Sequence, residues 1–392
     1  VSWTRFNFCH CSKALHLADT AFFERGIATM TFLARSLAAT TRAALFSLLC
    51  GTFVAPIHAI AEPLPALGAA LSQTSVSGLS SGAFMAGQLE VAHAENIVGA
   101  GIVAGGPFAC AESPMTRLFP YWATGVAQNA LQAAQSCMQT TLGEPDPEKL
   151  IARARSLADD EKIDPLSALA RHNIYLYTGD KDSTVSRPVV EAAKRFYDLA
   201  GVPKTNISYI EGDGGHAFIT EQGGAACGLS ETPYVSDCDY QQARAILGWI
   251  YGPLEPATSS PTGEFVVFQQ AEFTEDGEGF ADEGVVYIPS SCRNAPGCRV
   301  HVALHGCQQS RARVGGAFIK ETGFAELADT NRLIVLFPQV ASSAVNPQGC
   351  WDWWGYTGLD YLGKDAPQIS ALWGMVERLA KTPAAEASPH QE

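Results

Sequence analysis

Short apolar runs recur along this chain and alternate with longer stretches of helical spacing. Ile97 to Ala104 is continuously apolar and closes on Gly105-Gly106-Pro107, the pattern of a buried strand that ends in a loop. Asn173 to Tyr177 and Asn206 to Ile210 are β-rich, and they stop at Thr178-Gly179-Asp180-Lys181-Asp182 and at Glu211-Gly212-Asp213-Gly214-Gly215-His216. Each therefore delivers titratable residues to a loop just past a strand. Pro188 to Leu199 reads as a helix, and Met115 to Gln139 and Glu148 to Asp159 carry helical spacing that is expected to cover a sheet.

A second series of strands follows Gly252 to Gly263, whose Pro, Thr and Ser content is a loop or linker signal. It comprises Phe265 to Phe268, Val285 to Ile288, Val300 to Leu304 and Leu333 to Phe337. A helix predicted from about Lys320 to Asn331 separates the last two, giving a βαβ unit and parallel pairing. The acidic stretch Glu272 to Glu283 lacks the regular oxygen spacing of a calcium loop and reads as a solvated hairpin connection. The pattern predicts an α/β fold with a mostly parallel central sheet flanked by helices, and it places residues 62–380 in one catalytic domain.

Composition narrows the function. A chain of 392 residues with 47% hydrophobic content can bury a sizeable core. Its formal charge of −14 excludes nucleic acid and anionic membranes as natural partners, because either needs a basic face. Near the start, Met30 to Arg42, the apolar run Ala43 to Pro56 and Ala59-Ile60-Ala61 follow the basic, apolar, small-residue order of a secretory signal peptide. Residues 30–61 are expected to be that signal, with cleavage after Ala61, and the apolar run is too short to span a membrane. Residues 1–29 are then an extension upstream of the start, so Cys9-His10-Cys11 is not read as a metal site. Residues 381–392 are expected to be a disordered tail. Beyond residue 61 stand eight cysteines, Cys110, Cys137, Cys227, Cys238, Cys292, Cys298, Cys307 and Cys350, which suits a disulfide-stabilised protein of an extracellular or periplasmic compartment. Sequence neighbours suggest four successive bridges, among the roughly 105 connectivities that eight cysteines allow. No zinc-finger CxxC spacing occurs, and no metal is expected.

Candidate chemistry centres on Gly78-Leu79-Ser80-Ser81-Gly82, a lone serine between two glycines, entered by an apolar run and left by a helix-compatible one. This is the pattern of a nucleophile elbow, in which a sharp strand-to-helix turn raises Ser80 Oγ over the sheet edge. A nucleophilic serine needs a base and a carboxylate that orients the base. Ser80, Asp182 and His216 occur in the order Ser, acid, His, each on a loop after a strand. Asp182 is preferred to Asp180 because it leads through Ser183-Thr184-Val185 into the next helix, whereas Asp180 follows the strand too tightly. His93, His172 and His301 belong to regular elements or their edges and fit less well. One component is out of order: Leu304-His305-Gly306-Cys307 looks like an oxyanion loop but comes after all three triad candidates. Placing the second half of the chain ahead of the first restores the usual succession. The inference is a circularly permuted α/β-hydrolase jointed near residues 253–262, with the N–H groups of Ser81 and Cys307 as oxyanion donors and His305 shaping the loop.

The stretches SVSGLSSGAFMAGQL, AGGPF, TGDKDSTV, GGHAF, WIYG, HVALHGCQQS and GCWDWW together resemble the exported, single-domain poly(3-hydroxybutyrate) depolymerases with a permuted α/β-hydrolase fold. The resemblance covers nearly all of residues 72 to 378. It implies Ser80, Asp182 and His216 as the triad, the amides of Ser81 and Cys307 as the oxyanion hole, and Trp353 as a wall of the substrate cleft. Many such enzymes add a linker and a separate polymer-binding domain; none is expected here, and Val340 to Asn346 is short where relatives carry a longer loop. The expected function is a secreted serine esterase that cleaves short-chain polyhydroxyalkanoate through an acyl-enzyme. It would act as a monomer, with no cofactor, on a polyester or oligomeric ester. A feruloyl or acetyl esterase of plant cell walls is the alternative within the same chemistry. A non-catalytic binder using Trp351, Trp353, Trp354 and Tyr356 is a third reading, disfavoured because a binder has no need of an aspartate and a histidine in triad order.

Overall fold

Eight of the apolar runs pair into one sheet in the computed structural model, which describes residues 61–383. The strands are β1 (Thr74–Leu79), β2 (Ile97–Val103), β3 (Asn173–Gly179), β4 (Ile207–Gly212), β5 (Glu264–Gln269), β6 (Glu283–Ile288), β7 (Arg299–Leu304) and β8 (Leu333–Phe337). Their order across the sheet is β4-β3-β2-β1-β7-β8-β6-β5. All pairings are parallel except those of β6, which runs against both β5 and β8. The acidic stretch joins this antiparallel pair as the expected hairpin connection. Numbered from β5 through β8 and then β1 through β4, the same sheet reads 1-2-4-3-5-6-7-8, the near-sequential succession that the permuted reading requires. The first and last described segments also meet: Leu67 and Ala69 N–H donate to Leu379 O, both at 3.0 Å, and Gly68 N–H donates to Lys381 O at 2.8 Å.

Parallel sheets are covered on both faces, and the helices here provide that cover. On one face lie α1 (Ser81–Ala92), α2 (Arg187–Ala200) and, at the far end of the chain, the helix Pro367–Ala380. The other face carries Gln242–Tyr251 and Phe324–Asn331. Every residue of α1 is buried, so it shows no polar stripe, and its polar side chains are satisfied internally. Glu90 accepts from Tyr197 Oη and lies 2.8 Å from His172 Nδ1, and Gln88 Nε2 donates to Asp352 O and Tyr361 O.

Two helical expectations are corrected. Met115 to Gln139 is not one covering helix but Pro114–Leu118, Trp122–Gln132 and the wide-turn segment Ala133–Met138. Leu118, Phe119, Tyr121 and Trp122 are 51–72% exposed, because this segment stands away from the sheet and turns its small residues toward a cleft. The helix expected from Lys320 begins at Phe324, since Gly323 adopts φ +81°, a left-handed conformation that interrupts helical continuity.

Among the described residues there are four disulfides, Cys110–Cys137, Cys227–Cys238, Cys292–Cys298 and Cys307–Cys350, as sequence adjacency suggested. The second braces a small sheet of Phe218–Thr220, Ala225–Ala226 and Val235–Asp237 that follows His216. Among the described residues no helix is long and apolar enough to cross a membrane. The expected upstream extension, the signal segment up to residue 60 and the tail beyond residue 383 lie outside the described residues.

Candidate active site

The elbow is built from its glycines. A Cβ on Gly78 would run into the carbonyl of Gly82, and a Cβ on Gly82 would run into the carbonyl oxygens of Leu304 and His305, so strand, helix and the loop after β7 meet here without side chains between them. Ser80 sits between strand and helix at φ +57°, a conformation that is sterically costly for a residue with a Cβ. It is held there by its N–H to Val103 O at 2.9 Å and by its own carbonyl, which accepts from Ala83 and Phe84 N–H at 2.9 and 3.0 Å. Its side chain opens on a cleft of about 540 Å³ that also receives His216.

Asp182 is committed on both oxygens. Oδ1 accepts the N–H groups of Thr184 and Val185 at 2.8 and 2.9 Å, and Oδ2 lies 2.8 Å from His216 Nδ1. This arrangement gives His216 the Nδ1–H tautomer and leaves Nε2 as the basic nitrogen. The His216 N–H donates to Ser230 Oγ at 2.7 Å, which anchors the glycine-rich loop. Asp180 points elsewhere and pairs with Arg187 at the surface.

The loop after β7 reaches the same cleft. His305 is fully buried, and burial pushes its pKa down to about 4, so the ring is neutral at ordinary pH. Its Nδ1–H donates to Gly306 O at 2.7 Å, and Nε2 accepts from Val340 N–H at 3.3 Å. Among the described residues the N–H groups of Ser81 and Cys307 make no hydrogen bond. Such free donors beside the Ser80 hydroxyl suit a developing oxyanion, aided by the N-terminus of α1. Cys307 and Cys350 are bridged with Cα atoms 4.2 Å apart, which brings the tryptophan run to the cleft.

The four aromatic candidates divide. Trp353 stacks on Phe84, with centroids 3.9 Å apart and 11° between planes, and presents its remaining edge to the cleft. Trp354, which the sequence did not single out as substrate-facing, meets Trp353 edge-on and lines the cleft too. Trp351 is wholly buried and its Nε1–H donates to His305 O at 3.0 Å, while Tyr356 Oη donates to Cys350 O at 2.9 Å. These two are scaffold. The run is pinned by Asp352, whose buried carboxyl accepts from the N–H groups of Gly355, Tyr356 and Thr357 and from Thr357 Oγ1; burial raises its pKa. Sequence reading also missed the wall formed by Ala130, Ala133, Ala134 and Met138, although small residues at helical spacing are its only signal. Among the described residues no Lys, Arg, Asp or Glu lines the cleft, which favours an uncharged substrate.

No family model matches the chain. A poly(3-hydroxybutyrate) depolymerase of Delftia acidovorans is 38% identical over 338 residues, spanning 85% of this chain and 64% of that protein. The chain thus spans less than two thirds of that relative's length. A polyhydroxybutyrate depolymerase of Talaromyces funiculosus is 35% identical over 338 residues, covering 81% of this chain and 93% of the relative. The crystal structure of the PHB depolymerase from Penicillium funiculosum superposes with a TM-score of 0.72 at 34% identity, over 81% of this chain and 98% of that one. A serine-to-alanine PHB depolymerase complexed with an R3HB trimer matches equally well, with a TM-score of 0.72.

Proposed function

The chain belongs to the PHB depolymerase family, and from that premise we propose that it is a serine esterase hydrolysing poly(3-hydroxybutyrate) or its oligomers through an acyl-enzyme. Ser80 Oγ attacks the ester carbonyl while His216 Nε2 takes its proton, and Asp182 holds the imidazole in the required tautomer and stabilises the imidazolium. The tetrahedral oxyanion is received by the N–H groups of Ser81 and Cys307. Collapse expels the hydroxyl end of the leaving chain, protonated by His216. Water, deprotonated by the same ring, then attacks the acyl carbon and releases a hydroxybutyrate carboxylate with Ser80 regenerated. Trp353 contributes a flat apolar wall for the methyl-bearing backbone of the polyester.

The observation that carries this reading is the meeting of three features on one uncharged cleft: Ser80 in its strained turn, the Asp182–His216 pair, and the unengaged N–H of Cys307. The bridges support a site of action in an oxidising compartment, extracellular or periplasmic. One chain supplies every residue of the proposed site, in keeping with a monomer. The exposed apolar residues of Pro114 to Gln132 adjoin the cleft wall and would rest against solid polymer. The test offers the purified protein amorphous polymer, hydroxybutyrate oligomers and feruloyl esters side by side. Release of 3-hydroxybutyrate products from polymer and oligomer supports the reading; turnover of feruloyl esters alone would replace it.

A further inference from the structure

We propose that Gln309 is a positioning residue that sets the spacing between the oxyanion hole and the general base. The inference rests on the esterase reading above and concerns a side chain outside the triad and the oxyanion donors. Gln309 is 1% exposed, and both ends of its amide are engaged. Oε1 accepts the Gly306 N–H at 2.7 Å, while Nε2 donates to Pro233 O at 3.1 Å and Tyr234 O at 2.9 Å. The amide's orientation is fixed by these partners, since an N–H faces one end and two carbonyls face the other.

The two anchor points belong to the two halves of the chemistry. Gly306 immediately precedes Cys307, so the Gly306 N–H fixes the rotation of the backbone that aims the Cys307 N–H. Tyr234 O accepts a second hydrogen bond, from Phe218 N–H at 2.9 Å, and Phe218 is two residues beyond His216. Ser230 Oγ, which accepts from His216 N–H, lies in the same segment as Pro233 and Tyr234. Gln309 is therefore a buried strut running from the oxyanion loop to both supports of the histidine loop. Without it the buried Gly306 N–H and the half-buried carbonyl of Pro233 lose partners, and the oxyanion loop can rotate to recover one. Because the oxyanion exists only after attack, such a rotation weakens the transition state more than the bound ester.

Gln309→Met removes both ends of the strut at similar volume, and Gln309→Glu keeps the acceptor for Gly306 but sets a carboxylate against two carbonyls. Ser80 is counted in each variant by stoichiometric labelling with an activated phosphonate ester, and kcat and KM for p-nitrophenyl butyrate are referred to labelled sites. We expect kcat per site to fall about 10²-fold in Gln309→Met, with KM within about threefold of the parent. In Gln309→Glu, protonation of the carboxyl restores a donor, so its activity relative to the parent should rise as pH falls from 8 to 5. A structural role alone would reduce the number of labelled sites while leaving kcat per site unchanged. That result, or a relative activity of Gln309→Glu that is flat with pH, overturns the proposal. Failure of the phosphonate to label Ser80 in the parent overturns the esterase reading instead, and the inference with it.

Discussion

At the scale of single residues, the chemistry depends on groups whose burial the sequence does not reveal. Asp182 was distinguishable from Asp180 because its position leads into the next helix, and the structure gives the physical counterpart: Asp182 caps two N–H groups while Asp180 pairs with Arg187. Trp354 was not distinguishable from its neighbours, because which of several consecutive indoles faces a cleft depends on the turn held by Asp352. Ser80→Ala is expected to lower kcat for a soluble ester by roughly five to six powers of ten with an unchanged circular-dichroism spectrum, since triad members act as a unit. Retention of substantial turnover would remove Ser80 as nucleophile. The buried histidines carry a second expectation. Burial pushes His301 down to about 3 and His93 and His305 down to about 4, all below the ordinary value of 6.5. The unfolded chain therefore takes up these protons first as pH falls. Their contribution to stability is complete above pH ~6.5 and is lost toward pH ~4 for His93 and His305, at about 3 kcal/mol for each shift of ~2.5 units, and toward pH ~3 for His301. Tm should be level between pH 7 and 8 and drop progressively below about 6.5; a level Tm down to pH 4 would contradict these burial effects.

At the scale of elements, strands were easier to read than helices. A buried strand is a run of apolar, β-rich or small residues whichever face it lies on, and all eight central strands coincide with such runs, although only some, such as Ile97–Val103 and Leu333–Phe337, are free of polar residues. The segment from Pro114 to Met138 shows the limit of periodicity. Its spacing is helical, but a helix whose small face lines a cleft and whose large apolar side chains face water has the same period as one that covers a sheet. The exposed rim allows a test that can be separated from the chemistry. Phe119→Ser combined with Trp122→Ser removes two large apolar contacts at 56% and 51% exposure, and it should lower hydrolysis of a solid polymer film by tenfold or more. Hydrolysis of p-nitrophenyl butyrate, which needs only the cleft, should stay within twofold. Parallel losses on both substrates would make the segment part of the cleft scaffold rather than a polymer contact.

At the scale of the whole molecule, the site lies on the seam between two halves of the chain. Ser80, Asp182 and His216 precede the segment at residues 253–262, and Cys307 and Trp353 follow it. None of the four disulfides crosses that segment. The halves are instead joined by the pairing of β1 with β7 in the middle of the sheet, by Ser75 and Ser77 Oγ at 2.7 and 2.9 Å from the ring nitrogens of His301, and by the Gln309 strut. The out-of-order His305-Gly306-Cys307 loop made the permutation legible, because motif order survives in sequence. The seam contacts did not, since Ser75 and His301 are 226 residues apart and nothing in the two stretches they open, SVSGLSSGAFMAGQL and HVALHGCQQS, says that their side chains meet. If neighbours in the sheet rather than the order of synthesis define the fold, the permutation can be reversed. A chain opened within residues 253–262, with Pro383 joined to Ala61 by a flexible linker of about fifteen residues, keeps every strand pairing and every disulfide loop. The join is short because Gly68 already lies against Lys381, and a Gly/Ser linker of that length reaches about 20 Å on average. This rearranged chain should form the same four bridges and retain kcat within about tenfold on a soluble ester, with any loss appearing first in Tm through altered loop closure. Peptide mapping without reduction and active-site labelling would check both. A well-folded, correctly bridged product that labels at Ser80 but turns over more than a hundredfold slower would mean that the native connection at 253–262 itself holds the seam in register.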